Sequence, residues 1–540
     1  MATDPSFDPK KAISAGLRAV EQGRPGEAMQ IADETLRRAG KYPGAFFLKA
    51  YALRSTGDLA EAIAMARKAE KAGGRDPLTL NLLALLYKES GKSELARRAW
   101  QDVLAKEPRA LDAILGLARL DRDLGRFDAS HAGFERALAL APGHADTLAS
   151  YADARLKGGD LDQAVSLADQ ALATEPGHPL ALSVWASQAL RHDTSEKVAD
   201  RLTAGLALGK GRPDQRAPAI GWLAEALERS GRTEEAYAHY SDANRILYDA
   251  MAPSWSDADY SLNHIRTVLS ALQAQSGTRL SAIEDKAAPA PVFLTGFPRS
   301  GTTLAAQMLA GHDRVVLSDE AENARALLDA AGRTAGSWQD YLAMTPARRT
   351  GLRRAYWKAA RAEGPLTDGR VLVDKLPVNV AMVAALGAAF PDARFIVMVR
   401  DPRDAVASAF KQRFEPNAST VHLRSLDAAA DYCDAVHRAL LEAQRVLPDL
   451  HVRVQSYEKL AADPEGEGRE MAAFAGLDWQ AGMLDVQERA REARIQTPSA
   501  LQLLEPIEAR SAGQWKTFEA HFTDALETLR PWTQKWGTDA

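Results

Sequence analysis

The sequence predicts an all-α helical-repeat solenoid followed by an α/β domain built on a parallel sheet. Three observations carry this expectation. Small residues and glycines recur in steps of 34 through the first half of the chain. The repeat spacing then lapses across a stretch that ends in Ala and Pro. Beyond it, short apolar runs alternate with helical stretches, the pattern of βαβ units.

A chain of 540 residues exceeds one hydrophobic core, so two or more domains are expected. Its 46% hydrophobic and 26% charged content is ordinary for a folded protein. The formal net charge of -5, with acids and bases interspersed, leaves no footprint for nucleic acid and no polybasic block for a membrane surface. Cys433 is the single cysteine, which excludes an intramolecular disulfide framework. The N-terminal stretch has no apolar signal core and no apolar run reaches spanning length, so a cytoplasmic location is the expectation.

The repeats come first. Gly16, Ala50, Ala84, Ala118, Ala152 and Ala186 are spaced by 34, as are Gly23, Gly57, Gly91, Gly125 and Gly159. A third series runs Ala28, Ala62, Ala96, Ser130 and Ala164, with Val198 in its sixth place. Trp222, Ala224, Gly231 and Ala236 continue the pattern after a four-residue insertion. The first and third series mark close approaches between paired helices, where a large side chain would force them apart. The glycines mark turns that need left-handed backbone. Pro108, Pro142 and Pro176 end the second helix of their units.

Period, small-residue positions and terminal proline resemble the tetratricopeptide repeat, in roughly seven units over residues 9–250. A single unit cannot bury its apolar face, so stacked units form a superhelix. The concave face of such a solenoid binds peptides in one reading and only steadies a neighbouring domain in the other. The expected division is repeats over 1–269, a linker over 270–290 and the second domain over 291–540. Nothing in the sequence speaks to oligomeric state.

In the second domain the apolar run PVFLTG enters GFPRSGTT and then the helical LAAQMLAGH. Strand, glycine-bracketed loop and helix start make a phosphate cradle, with loop amides and the helix N-terminus converging on an anion. Gly296, Gly301 and Thr303 keep the spacing of the nucleotide-triphosphatase loop, but Thr302 stands where its lysine belongs and Arg299 lies inside the loop. That lysine serves β- and γ-phosphates, so its absence argues against ATP or GTP hydrolysis. A donor with a single 5′-phosphosulfate fits better. A second strand, ARFIVMV, leads into RDPRDAVASAF, with Arg400 at the strand end and Ser408 early in a helix. Arginine offers a planar fork to a phosphate and the serine hydroxyl completes the oxygen shell. Alone, such an Arg-Asp pair is also the pattern of a surface salt bridge.

Together, GFPRSGTTL and FIVMVRDPRDAVAS resemble the two donor-binding segments of sulfotransferases that use 3′-phosphoadenylyl sulfate (PAPS). The combination with repeats is similar to bacterial repeat-linked sulfotransferases, and the loop resembles that of tyrosylprotein sulfotransferases. The resemblance implies an α/β P-loop-like domain with PAPS as donor substrate and no metal. By the same resemblance Arg299, Ser300, Gly301, Thr302 and Thr303 meet the 5′ side of the donor, Arg400 and Ser408 meet its 3′-phosphate, and Tyr457 lies near the nucleotide. Glu320, 21 residues beyond Arg299, sits at the separation of the catalytic glutamate in tyrosylprotein sulfotransferases, and becomes the expected general base. Asp319 is its nearest rival, and both acids also suit a helix N-terminus. Lys375, in VLVDKLPVNV, matches a lysine that by this resemblance leans toward the leaving group; a strand end followed by Asp-Lys is equally the pattern of a salt-bridged turn. His312 reads as a cap or packing residue.

The C-terminal segment TPSALQLLEPIEARSAGQW resembles a loop that closes over the donor, with Ser499 as a phosphate contact. The tyrosylprotein enzymes carry a lysine before the tryptophan, where this chain has Gln514 before Trp515; Lys516 and Arg510 are the available substitutes. A peptide or protein acceptor presented by the repeats is the expected partner. The rival readings are a P-loop kinase or other NTPase, and a non-catalytic repeat adaptor with a decayed sulfotransferase fold.

Overall fold

The structure is a computed structural model that describes residues 7–252, 259–280, 283, 285, 289–331, 344–362, 369–414, 417–492 and 512–536. Its chain divides into two compact units, Met1–Ser230 with Asp249–Ser256, and Gly231–Tyr248 with Asp257–Ala540. Among the described residues, no helix is long and apolar enough to cross a membrane.

The first unit is a run of helix pairs, such as Leu111–Asp123 with Phe127–Leu140 and Ala145–Lys157 with Leu161–Thr174. The three sequence series fall where the physics asks for them. Ala50, Ala84, Ala118 and Ala152 are buried, as are Ala62, Ala96, Ser130 and Ala164. Ser130 Oγ donates to the Ala118 carbonyl at 2.8 Å, so the first and third series meet face to face. The turn glycines Gly23, Gly57, Gly91, Gly125 and Gly159 all hold positive φ between 70 and 85°, a region cheap only for glycine. Ion pairs link the first helices of successive repeats: Arg54–Glu89 at 2.6 Å, Lys88–Asp123 at 2.8 Å and Arg122–Asp153 at 2.6 Å. Each such partly exposed pair contributes about 0–1 kcal/mol.

The division of contacts falls at Ser230, earlier than the expected linker. Residues 231–248, which continue the repeat pattern, pack within the second unit. There Tyr237 stacks on His521 at 3.6 Å and Asn244 Nδ2 donates to the Phe410 carbonyl at 2.9 Å.

The second unit is built on five parallel strands, β1 (Val292–Gly296), β2 (Val315–Asp319), β3 (Val371–Lys375), β4 (Arg394–Val399) and β5 (His451–Ser456), in the order β2-β3-β1-β4-β5. β1 is buried throughout and lies between β3 and β4, as its continuous apolar run requires. Leu304, Met308 and Leu309 of the helix after β1 join Ile396, Leu460 and Met471 in one core. The chain leaves β1 toward β2 on one side and leaves β4 toward β5 on the other. The carboxyl ends of β1 and β4 therefore flank a topological switch point, the crevice where open α/β sheets bind ligands.

Candidate active site

Both expected donor segments end at that crevice. β1 stops at Gly296, which pairs with Met398 of β4, and the chain turns through 297–301 into the helix Thr302–Ala310. Gly301, the N-cap, has φ 91°. A Cβ there would stand 2.5 Å from Tyr457 Cδ2, so only glycine admits both this backbone and the tyrosine ring over the loop. Ser300, Thr302 and Thr303 are buried at the helix start, where amides and dipole favour an anion.

Arg400 leaves β4 only 8% exposed. Its Nη1 donates to the Arg299 carbonyl at 3.2 Å, and its guanidinium lies 5.2 Å from the centre of the Tyr457 ring. Arg299 Nε donates to Ser408 Oγ at 3.1 Å. Residues about a hundred positions apart in sequence thus form one cluster. Burial, then the neighbouring Arg400 and Arg413 guanidinium groups, pull the Arg299 pKa down to about 10. Three guanidinium groups held against their mutual repulsion make a site that favours an anion. No sequence motif marks Arg413, which follows the end of the helix Pro402–Lys411.

Glu320 and Lys375 meet beside this cluster. Lys375, at the end of β3, is 0% exposed. Its Nζ lies 2.6 Å from Asp319 Oδ1 and 2.8 Å from Glu320 Oε1. The Glu320 amide donates to the Lys375 carbonyl at 2.7 Å, with Glu320 at φ 59°. Arg299, at φ 71°, shares this left-handed backbone; each such conformation costs about 1–3 kcal/mol and collects at functional sites. A buried network fixes the ground behind Glu320: Asn323 Nδ2 donates to Ser318 Oγ at 2.9 Å and Asp374 Oδ2 at 3.2 Å, and the Tyr356 hydroxyl also donates to Asp374.

His312 is buried away from these groups, between Asp478 (Nε2 to Oδ1, 3.2 Å) and the Arg314 amide, which donates to its Nδ1 at 3.0 Å. It closes the end of the helix Thr302–Ala310 against Asp478. Gln514 and Lys516 are exposed, while Trp515 is buried under the Arg403 guanidinium, 4.7 Å from the ring centre. The Asp404 carboxylate accepts the Gly513 and Trp515 amides at 2.7 and 2.8 Å. Local patterning carried no sign of this long-range clasp. Ser499 and Arg510 lie outside the described residues.

Residues 291–481 match the Sulfotransferase family. This stretch is a sulfotransferase-family domain. Ahead of it, residues 17–117 match the Psidin N-terminal TPR repeats region and residues 122–186 match a tetratricopeptide repeat. The chain is 26% identical over 268 residues to protein-tyrosine sulfotransferase 1 of Danio rerio, covering 46% of this chain and 72% of that protein. It is 28% identical over 256 residues to nodulation protein NoeE of Sinorhizobium fredii, covering 42% of this chain and 60% of that protein. A match of 24% identity to an uncharacterized protein of Aquifex aeolicus covers 59% of this chain and only 42% of that protein. Among solved structures, a tetratricopeptide repeat protein from Parabacteroides merdae is similar over 44% of this chain and 93% of its own, at 14% identity and a TM-score of 0.36. Residues 299–303, 320, 375, 400, 408 and 457 fall within the matched stretch, and 499, 510, 514 and 516 lie beyond it.

Proposed function

We propose that the chain transfers a sulfuryl group from PAPS to an acceptor hydroxyl, that of a tyrosine or another residue in a peptide or protein presented by the repeats. The observation that carries this reading is the meeting of Arg299, Arg400 and Ser408 at the switch point, around a phosphate loop with Thr302 in the lysine position. A kinase loop would bring a lysine to β- and γ-phosphates; this one brings arginines. The cytoplasmic location expected from the sequence stays part of the reading.

The donor supplies the sulfuryl group on its 5′-phosphosulfate. In this reading the loop amides of 299–303 and the Thr302 and Thr303 hydroxyls hold that phosphosulfate, and Arg400 and Ser408 hold the 3′-phosphate. Tyr457, stacked between Gly301 and Arg400, walls the nucleotide side. Glu320 takes the proton from the acceptor hydroxyl. Arg299 and Lys375 face the charge that develops on the sulfonate and bridging oxygens, a form of stabilisation worth roughly 3–4 kcal/mol per preorganised group.

The test is transfer of radiolabelled sulfate from PAPS to tyrosine-, serine- and threonine-containing peptides, with release of adenosine 3′,5′-bisphosphate followed in parallel. Labelled peptide together with equimolar bisphosphate supports the proposal. Phosphate transfer from ATP with Mg²⁺, and none from PAPS, rejects it.

A further inference from the structure

Lys375 has two carboxylates where a general base alone would supply one. The register of β2 with β3 makes Asp319 and Lys375 direct partners, and direct partners on neighbouring strands project to the same face of a sheet. Asp374, one residue before Lys375, projects to the other face, where Tyr356 and Asn323 bond it. Among the described residues, the acids in ion-pair range of the buried ammonium are therefore Asp319 and Glu320.

Resting on the proposed transfer reaction, we infer that Asp319 is a positioning residue: it is the standing counter-ion of Lys375, which leaves Glu320 able to act as the base. The charge balance gives the reason. With all three groups ionised, one cation faces two anions. When Glu320 accepts the acceptor's proton its charge is lost, and with no other acid Lys375 would be a buried ammonium without a counter-ion, an expensive state. Asp319 keeps the pair neutral through that step.

The atoms balance accordingly. The acceptor O–H proton passes to a Glu320 carboxylate oxygen, and the acceptor oxygen forms its bond to sulfur. The bond between sulfur and the bridging oxygen breaks, and its electron pair stays on the nucleotide phosphate. An ammonium has three N–H donors; Glu320 accepts one and Asp319 stands in ion-pair range, which leaves a donor for the bridging oxygen. Asp319 touches neither acceptor nor donor in this scheme and acts through Lys375.

The test compares Asp319→Asn, Asp319→Glu and Glu320→Gln with the wild type, reading kcat, KM for PAPS, the Kd of adenosine 3′,5′-bisphosphate and thermal midpoint. Asp319→Asn is expected to lower kcat by about 10–100-fold, the size of losing one charged contact at a buried cation, with bisphosphate Kd and midpoint held. Asp319→Glu should recover part of kcat. In the Glu320→Gln background, Asp319→Asn should add little, because the base it supports is already gone. Undiminished kcat in Asp319→Asn overturns the inference, and so does a matching loss of kcat and bisphosphate affinity, which marks a structural role. An inactive Asp319→Asn beside an active Glu320→Gln also overturns it, making Asp319 itself the base. A wild type that neither binds the bisphosphate nor uses PAPS rejects the transfer reading first, and this inference with it.

Discussion

Arg299 and Glu320 hold left-handed backbone without being glycine, and both are tied down: Arg299 by Ser408 and Arg400, Glu320 by its amide bond to Lys375. Such local strain persists only where the surroundings over-determine it. If Glu320 is the base, Glu320→Gln keeps the shape and the Lys375 contact but cannot take a proton. Turnover should fall by about 10²–10⁴-fold while bisphosphate affinity is retained, as steady-state kinetics and equilibrium binding will show. Retained turnover would move the role to Asp319. At this scale the sequence was informative where a motif concentrates chemistry in a few positions, as in GFPRSGTT and RDPRDAVAS. It ranked Asp319 only as a rival to Glu320, since the sharing of Lys375 depends on strand register. Arg413 escaped altogether, because only the fold brings it toward Arg299.

At the scale of elements, the repeat helices were legible because the same spatial demand recurs in every unit. Gly16, the first member of the first series, illustrates it: a Cβ there would collide with the Leu48 side chain of the next unit. β1 and β4 were legible as buried apolar runs. Residues 231–248 keep repeat spacing while packing within the second unit, so spacing alone does not mark where one unit gives way to the next. The helices Leu426–Val446 and Asp524–Trp536 also meet far apart in sequence. Between them His437 is buried, its ring 5.0 Å from Trp532 and its Nδ1–H donating to the Cys433 carbonyl at 2.9 Å. Burial pulls its pKa down to about 4, against about 6.5 in an unfolded chain. The fold therefore favours neutral His437, and the unfolded chain takes up a proton first as pH falls. The stabilisation is complete above about pH 6.5 and is lost as pH drops toward 4, by roughly 3 kcal/mol. Urea unfolding between pH 7 and 4.5 should show this loss in the wild type and a flatter profile in His437→Gln. Parallel profiles would contradict it.

For the whole molecule, the net charge of -5 conceals what the fold does locally. Three arginines gather at one end of a parallel sheet, and the acids that neutralise Lys375 stand beside them. Overall charge spoke against a nucleic-acid surface, yet it could not show this cluster, since Arg299, Arg400 and Arg413 become neighbours only when β1 and β4 pair. In the proposed reaction this cluster selects a nucleotide by its 3′-phosphate. The most direct measurement is calorimetric titration of the full chain with adenosine 3′,5′-bisphosphate, with 5′-AMP and with ATP plus Mg²⁺. Tight binding of the bisphosphate is expected, with a loss of about 10–100-fold or more for 5′-AMP, the size of one or two charged hydrogen bonds. Equal affinity for the two nucleotides, or a preference for ATP, would contradict it.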